Sequence, residues 1–141
     1  YIKAPFFRFD YKRDFNVMDD KELKLQAIGD AKLVEITSIN KNQDLSSLKK
    51  IITKLEENNI KIILFTTPQH KYFYDLVDIT EKKAFEEIII DLEKSHNLEI
   101  NQFTEKYSDL EIWRNPTHIV VSKSASIFSD DIANLILEEL R

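Results

Sequence analysis

The side chains best suited to proton transfer in this 141-residue chain are its three histidines, His70, His96 and His118. An imidazole titrates at a pKa of ~6.5, so a well-placed histidine can act as a general base near neutral pH. His118 lies in a loop ahead of the last predicted helix and is a candidate general base, although such a position also suits a structural or merely exposed histidine. His70 follows a predicted buried strand. His96 ends a predicted helix, where we expect a solvated cap residue.

Neither a metal site nor a cofactor is predicted from these residues. No two histidines have the HxH or HxxxH spacing that places both on one metal ion, and His70 and His118 lie far apart in the sequence. Three carboxylate pairs fall on predicted helices or helix starts, where they indicate solvated faces or first-turn caps rather than acid–base pairs. These pairs are Asp19-Asp20, Glu86-Glu87 and Asp130-Asp131.

The glycine and cysteine counts exclude several kinds of site. Gly29 is the only glycine, and there is no cysteine. Phosphate-binding loops of the GxGxxG and GxxxxGK[ST] types need several glycines, so both are excluded. A disulfide framework, a thiol nucleophile and a cysteine-ligated zinc ion are excluded as well.

The charge and hydropathy of the chain argue against nucleic acid and membrane partners. There are 20 basic and 25 acidic residues, a net charge of −5, whereas nucleic-acid-binding domains are usually basic or carry a dense basic face. No apolar run approaches the ~20 residues that span a bilayer, and no secretory leader is visible. Because the chain begins at Tyr1 rather than at a methionine, we expect a piece of a longer protein. Its compartment is left open, either extracytoplasmic with any anchor outside this chain or cytoplasmic.

The first thirty residues are expected to form an irregular arm, and residues 31–141 an α/β domain. Aromatic side chains alternate with basic ones in this arm. The aromatics are Phe6, Phe7, Phe9, Tyr11 and Phe15, and the basic residues are Lys3, Arg8, Lys12 and Arg13. Such a pattern can stack on single-stranded nucleic acid, but the negative net charge favours an arm that packs its rings on the domain. A short helix or turn is expected within residues 19–29, followed by a turn at Gly29-Asp30.

Three strands alternate with three helices in the rest of the chain. The strands are predicted at 32–37, 60–65 and 98–103, and the 60–65 strand lacks polar alternation, as is typical of a strand buried on both faces. The helices are predicted to begin at Asp44, at Thr80 and at Ser129 or a nearby serine, each with an apolar stripe at helical spacing. A long loop is expected from Thr104 to Thr117.

This order predicts a three-layer α/β/α sandwich with a small, mostly parallel sheet, because helical crossovers of this length join parallel strands. Ligands of such sheets bind at the carboxyl ends of the strands. We therefore expect Thr67, His70 and Tyr72, which follow the central strand, to line the substrate edge.

Two segments resemble the SGNH/GDSL hydrolases. The run Asn59–His70, NIKIILFTTPQH, looks like the central strand and loop of this family. It is most similar to the cell-surface subgroup related to acyl-transfer proteins of polysaccharide and teichoic acid modification. The later stretch Asn115-Pro116-Thr117-His118 resembles the family's Asp-x-x-His motif ahead of the final helix. The resemblance spans residues 44–141 and implies a flavodoxin-like fold.

The resemblance implies a catalytic role for His118, which matches the histidine that takes a proton from the serine nucleophile. Asn115 stands where the family has aspartate, and an amide can orient the imidazole without stabilising its cation by charge. The serine itself is missing, since the only similar triplet, Gly29-Asp30-Ala31, has alanine at that position. The glycine and asparagine sequence blocks that form the family's oxyanion hole are also absent.

Two functional hypotheses follow from this pattern. The first is the C-terminal part of an SGNH-like esterase or acyltransferase that acts on an acyl ester or glycan and is inactive alone. The second is a non-enzymatic α/β binding or scaffold domain. A sheet truncated in this way would expose an edge strand, so we also expect a homodimer.

Overall fold

Helices dominate the part of the chain that the computed structural model describes, which comprises residues 16–36, 41–120 and 125–139. The helices are α1 (Asp20–Ala31), α2 (Gln43–Glu57), α3 (Lys71–Leu76), α4 (Ile79–His96) and α5 (Ser126–Glu139). The strands are β1 (Leu64–Phe65), β2 (Ile100–Asn101), β3 (Trp113–Asn115) and β4 (His118–Ile119). None of the described helices is both long and apolar enough to cross a membrane.

The strands form two separate two-stranded sheets. In the first, β1 runs parallel to β2, with Leu64 opposite Ile100. In the second, β3 runs antiparallel to β4, with Asn115 opposite His118 and an irregular register between Trp113 and Asn115. The α/β class and the parallel pairing are thus confirmed, whereas the three-layer sandwich and the homodimer remain predictions.

The predicted strands differ from the observed ones in extent. The strand expected at 60–65 is reduced to Leu64–Phe65. It is not buried on both faces, since Ile60 and Phe65 are 52% and 38% exposed. The strand expected at 98–103 is reduced to Ile100–Asn101, and residues 32–36 form no strand. The stretch predicted as a long loop contains β3, because Trp113 is fully buried and its neighbourhood pairs with β4.

The helix starts also lie slightly away from the predicted positions. The side chain of Asn42, not Asp44, caps α2 by accepting a hydrogen bond from the Leu45 N–H at 2.9 Å. Asp78 rather than Thr80 caps α4, accepting from the Thr80 N–H at 2.7 Å. A capping side chain lies just before the helix, because it accepts a hydrogen bond from an N–H group two or three residues later. Asp44 and Thr80 lie inside the first turn and are less well placed to do so.

Other helix boundaries were only partly predicted. The turn predicted at Gly29-Asp30 is wrong, because both residues lie inside α1. Helix α5 begins at Ser126, so Ser129 is inside it, and α3 was not predicted at all. The end of α4 at His96 is confirmed, and Asn59 and Asn97 follow α2 and α4 with left-handed φ values of 55° and 48°.

The buried side chains of the described residues form two clusters. The first surrounds Trp113 and contains Leu23, Phe103, Tyr107, Ile112, Val120 and Ala125. The second joins α2 and α4 to β2 and contains Leu45, Ile52, Ile89, Leu92 and Ile100. Helix α1 contributes Leu23 to the first cluster and packs against α3. Residues 1–15 of the predicted arm lie outside the described residues, and the division at residue 30 remains a prediction.

Candidate functional site

The β3–β4 hairpin brings His118 and Asn115 into direct contact. His118 Nδ1 lies 3.0 Å from Asn115 Oδ1. The same amide oxygen accepts a hydrogen bond from the Thr117 N–H at 3.0 Å and one from the Thr117 hydroxyl at 3.3 Å. This turn therefore holds the Asn115 side chain with its oxygen directed at the imidazole.

The contact favours the tautomer of His118 with the proton on Nδ1. An amide oxygen can only accept, so the Asn115 contact is a hydrogen bond only when Nδ1 carries the proton, whereas the Thr117 hydroxyl, also 3.0 Å from Nδ1, can donate to it in the other tautomer. With the proton on Nδ1, the lone pair of the neutral ring lies on Nε2. The imidazole is exposed, and no described residue forms a hydrogen bond with Nε2. His118 is thus oriented to accept a proton at Nε2 from a group in solution.

His70 is arranged in the opposite way. Its side chain is 6% exposed, packs edge-on against Trp113 at 5.5 Å and caps α3. His70 Nδ1 accepts a hydrogen bond from the Tyr72 N–H at 3.1 Å, so the proton of the neutral ring lies on Nε2. His70 therefore presents a donor rather than a base, and this suits a structural or ligand-binding role.

Burial lowers the pKa of His70, and the nearby Lys71 ammonium lowers it further. The carboxylates of Asp20 and Asp109 act in the opposite direction with smaller effect. The neutral ring is also the form that can cap α3, because Nδ1 loses its acceptor lone pair when it is protonated.

A backbone hydrogen bond joins the two histidine segments. The His70 N–H donates to the carbonyl oxygen of Pro116 at 2.8 Å, within the turn that holds Asn115 and His118. The structure thus brings the loop after β1 to the hairpin, although the two segments follow strands of different sheets. The two imidazoles nevertheless do not share one cavity, since His118 does not line the cavity that contains His70.

The cavity beside His70 has a volume of about 390 Å³ and is lined by α1, the start of α3 and residues 108–111. Tyr72 lies on its wall, and its hydroxyl donates to Asp20 Oδ1 at 2.5 Å. Lys71 pairs with Asp109 at 2.7 Å. Of the three predicted edge residues, His70 and Tyr72 line this cavity, whereas Thr67 is exposed and does not.

Several residues of this region were missed or placed wrongly by the sequence analysis. Asp20 is exposed in the first turn of α1, as predicted, but its contacts with Tyr72 and Lys24 were not anticipated. Asp131 was treated in the same way, but it accepts from the Tyr107 hydroxyl at 2.5 Å. His96 is not a solvated cap, because its side chain is only 9% exposed and lies 3.1 Å from a Glu56 carboxylate oxygen. Apart from Asp20–Lys24, which are four positions apart on α1, these pairings join residues 24 to 52 positions apart, and no local pattern marks them.

The lowered pKa of His70 predicts how stability depends on pH. Between the pKa of the unfolded histidine, ~6.5, and the lower folded value, the unfolded chain binds more protons. The free energy of unfolding should therefore be highest above pH ~6.5 and should fall as the pH drops toward the folded pKa. Urea denaturation at pH 7.0, 6.0 and 5.0 measures this fall.

The matched comparison is between the parent protein and His70→Gln. The variant should lose stability at pH 7 but show a shallower decline toward pH 5 than the parent protein. An unchanged slope in the His70 variant would show that another group causes the acid destabilisation.

Among the described residues, no group of three or more histidine, aspartate or glutamate side chains is arranged to hold a metal ion. Comparison with family models, with curated proteins and with solved structures gives no match. The contacts among Asn115, Thr117 and His118 are therefore the basis on which a function is proposed.

Proposed function

We propose that this chain supplies the histidine half of an ester hydrolysis or acyl-transfer site, with His118 as general base and Asn115 as the residue that positions it. One observation carries the proposal: the 3.0 Å contact between Asn115 Oδ1 and His118 Nδ1 leaves Nε2 directed away and available. The three-layer, SGNH-like fold implied by the sequence resemblance is part of the same proposal.

The geometry reproduces two of the three contributions of the acid residue in a catalytic triad. Asn115 selects the tautomer and holds the ring, and Thr117 in turn holds Asn115. The third contribution is missing, because a neutral amide cannot offset the positive charge that His118 gains with the proton. We therefore expect a working but weakened base.

The nucleophile must come from outside the described residues around His118. No described serine or threonine hydroxyl forms a hydrogen bond with His118 Nε2, and the nearest hydroxyl, Thr117 Oγ1, contacts Nδ1 at 3.0 Å. Proton transfer needs the attacking hydroxyl within about 3 Å of the accepting nitrogen. A site of this kind is completed by a segment that presents a serine at Nε2, and the substrate is an acyl ester, including an acylated glycan.

The experiment compares this chain with the longest natural polypeptide that contains it. Both are incubated with p-nitrophenyl acetate and with a fluorophosphonate probe, which labels serines activated by a base. This chain alone should be inert in both assays, and the longer polypeptide should react. His118→Ala should slow the longer polypeptide by about 10²–10⁴-fold, the usual contribution of a general base.

Two further variants separate the base from its positioning residue. Asn115→Ala should lower the rate, whereas Asn115→Asp should raise it above the parent level, since a carboxylate stabilises the imidazolium. His96→Gln is the matched control and should leave the rate unchanged. An unreactive longer polypeptide, or a reaction that survives His118→Ala, would reject the proposal.

The alternative is a non-enzymatic binding domain, and one observation favours it. A cavity of about 610 Å³ with a largely apolar wall lies between α3 and α4, and neither Asn115 nor His118 lines it. If the longer polypeptide proves inert, this cavity becomes the main functional feature of the chain.

A further inference from the structure

The cavity between α3 and α4 has the dimensions of a small-molecule site. Its volume of about 610 Å³ lies within the ~300–1,000 Å³ typical of ligand pockets. Its apolar wall includes Phe73 and Val77 from the α3 segment, with Phe85 and Ile89 from α4. Phe73 and Ile89 are buried, whereas Phe85 is 37% exposed at the rim. An apolar ligand group could cover this rim.

The charged groups of the cavity are predominantly acidic. Four glutamates and two lysines line it, giving a net charge of −2. Two of the glutamates already have partners. Glu81 accepts a hydrogen bond from the Ile36 N–H at 2.6 Å, and Glu93 accepts one from the Ile100 N–H at 3.0 Å.

Both lysines are also engaged. Lys106 pairs with Asp131 at 3.0 Å. The ammonium of Lys82 lies over the Tyr74 ring, 4.4 Å from its centroid. Although Lys82 precedes Glu86 by one helical turn, the two form no ion pair within the described residues. The cavity therefore offers no free cation to an anionic ligand.

Of the four cavity glutamates, Glu86 and Glu105 have no hydrogen-bond or ion-pair partner among the described residues. They belong to different elements, α4 and the segment after β2, and both line the cavity. Each acts on the half-buried phenol of Tyr74, whose pKa is raised by burial and by these two negative charges. The two carboxylates and the phenol on which they act therefore all belong to the lining of one cavity.

We propose that this cavity binds an organic ammonium ion with an apolar body, the cation at Glu86 and Glu105 and the body against Phe73, Phe85 and Ile89. Charge complementarity selects this class. A charge-assisted hydrogen bond to an ammonium ion would satisfy carboxylates that a neutral ligand would only desolvate. An anionic ligand would be repelled by them. Neither His118 nor Asn115 lines the cavity, so the inference is independent of the proposed catalytic role.

The test uses three probes with the same alkyl chain, namely octylammonium, 1-octanol and octanoate. Each is titrated into the full chain and followed by calorimetry and by backbone amide NMR shifts. Octylammonium should bind about tenfold more tightly than 1-octanol, a difference of ~1.4 kcal/mol, and octanoate most weakly. The shifted amides should belong to residues 73–77, 82–93 and 102–106.

Charge-removing variants identify the carboxylates responsible. The double variant Glu86→Gln/Glu105→Gln should lower the octylammonium affinity about tenfold, to the level of 1-octanol, without changing the affinity for 1-octanol itself. Glu87→Gln removes a charge from the adjacent position of α4, outside the cavity, and should change neither affinity. Each variant is checked for an unaltered NMR spectrum away from the mutated residues.

Three results would overturn the inference. The first is octanoate binding as tightly as octylammonium. The second is an octylammonium affinity that the double variant lowers no more than Glu87→Gln does. The third is the absence of shifts in the amides around the cavity with any of the three probes.

Discussion

Replacing Thr66 by valine should destabilise the fold by about 2–4 kcal/mol, because it removes the acceptor for two backbone donors at once. The hydroxyl of Thr66 lies at the end of β1 and is almost fully buried. It accepts hydrogen bonds from the Phe103 N–H at 2.8 Å and the Thr104 N–H at 3.0 Å. Valine has nearly the same shape, so the loss arises from the unsatisfied N–H groups and not from packing.

Urea denaturation of the parent and of the Thr66→Val variant measures the effect. Thr66→Ser is the matched control, since it keeps the hydroxyl and loses only a methyl group, and it should retain most of the stability. Hydrogen exchange should accelerate first at the Phe103 and Thr104 amides. A Thr66→Val variant as stable as Thr66→Ser would show that these two N–H groups find other acceptors.

The same hydroxyl matters for the candidate site, because it joins two segments that lead toward it. Thr66 Oγ1 also contacts Thr104 Oγ1 at 2.9 Å. The Thr104 carbonyl accepts from the Gln69 N–H at 2.8 Å, and the next residue, His70, donates its own N–H to Pro116. A chain of short contacts thus runs from the end of β1 to the turn that holds His118.

The sequence predicted the long helices and the parallel pairing because their signals are local. Helices α2 and α4 carry apolar residues at repeated spacings of three and four. Their lengths of fifteen and eighteen residues are sufficient to identify the helical repeat. Their exact starts were missed by two residues. Each start offers two candidate caps, Asn42 and Asp44 for α2 and Asp78 and Thr80 for α4, and only the observed backbone shows which side chain reaches an N–H group.

The short elements could not be predicted in the same way. Strands β1 and β2 have two residues each, too few to show a period, and the flanking apolar residues extended the prediction beyond the paired region. The β3–β4 hairpin was missed because the whole stretch from Thr104 to Thr117 was predicted as a loop. Pro116 and Thr117 do form a turn, but the strands around it are defined by pairing and by the burial of Trp113.

The candidate site likewise combines a contact that local sequence predicts with surroundings that depend on distant residues. Asn115 and His118 are three positions apart, so their contact follows from one turn and could be anticipated from sequence. The surroundings of His70 depend on Trp113, Asp20 and Asp109, which come from other parts of the chain. Its role as a cap of α3, and hence its tautomer, became visible only when the helix itself was known.

Replacing Trp113 by alanine is expected to have the largest effect on stability, about 3–5 kcal/mol, as is typical of a large buried aromatic side chain. Trp113 is fully buried at the centre of the first core cluster. Its ring packs against His70, and its carbonyl oxygen accepts the Met18 N–H at 2.8 Å just before α1. The resulting void would lie where α1, the His70 loop and β3 meet.

Denaturation and near-UV circular dichroism measure this loss, and two further variants make the result interpretable. Trp113→Phe keeps an aromatic ring and should lose less than half as much stability as the alanine variant. Leu33→Ala removes a side chain that is 82% exposed and should change the free energy of unfolding by less than ~0.5 kcal/mol. Because a domain of this size is stabilised by only ~5–15 kcal/mol in total, the alanine variant should be partly unfolded at 37 °C. A Trp113→Ala protein no less stable than Leu33→Ala would contradict the packing of α1, the His70 loop and β3 around this indole ring.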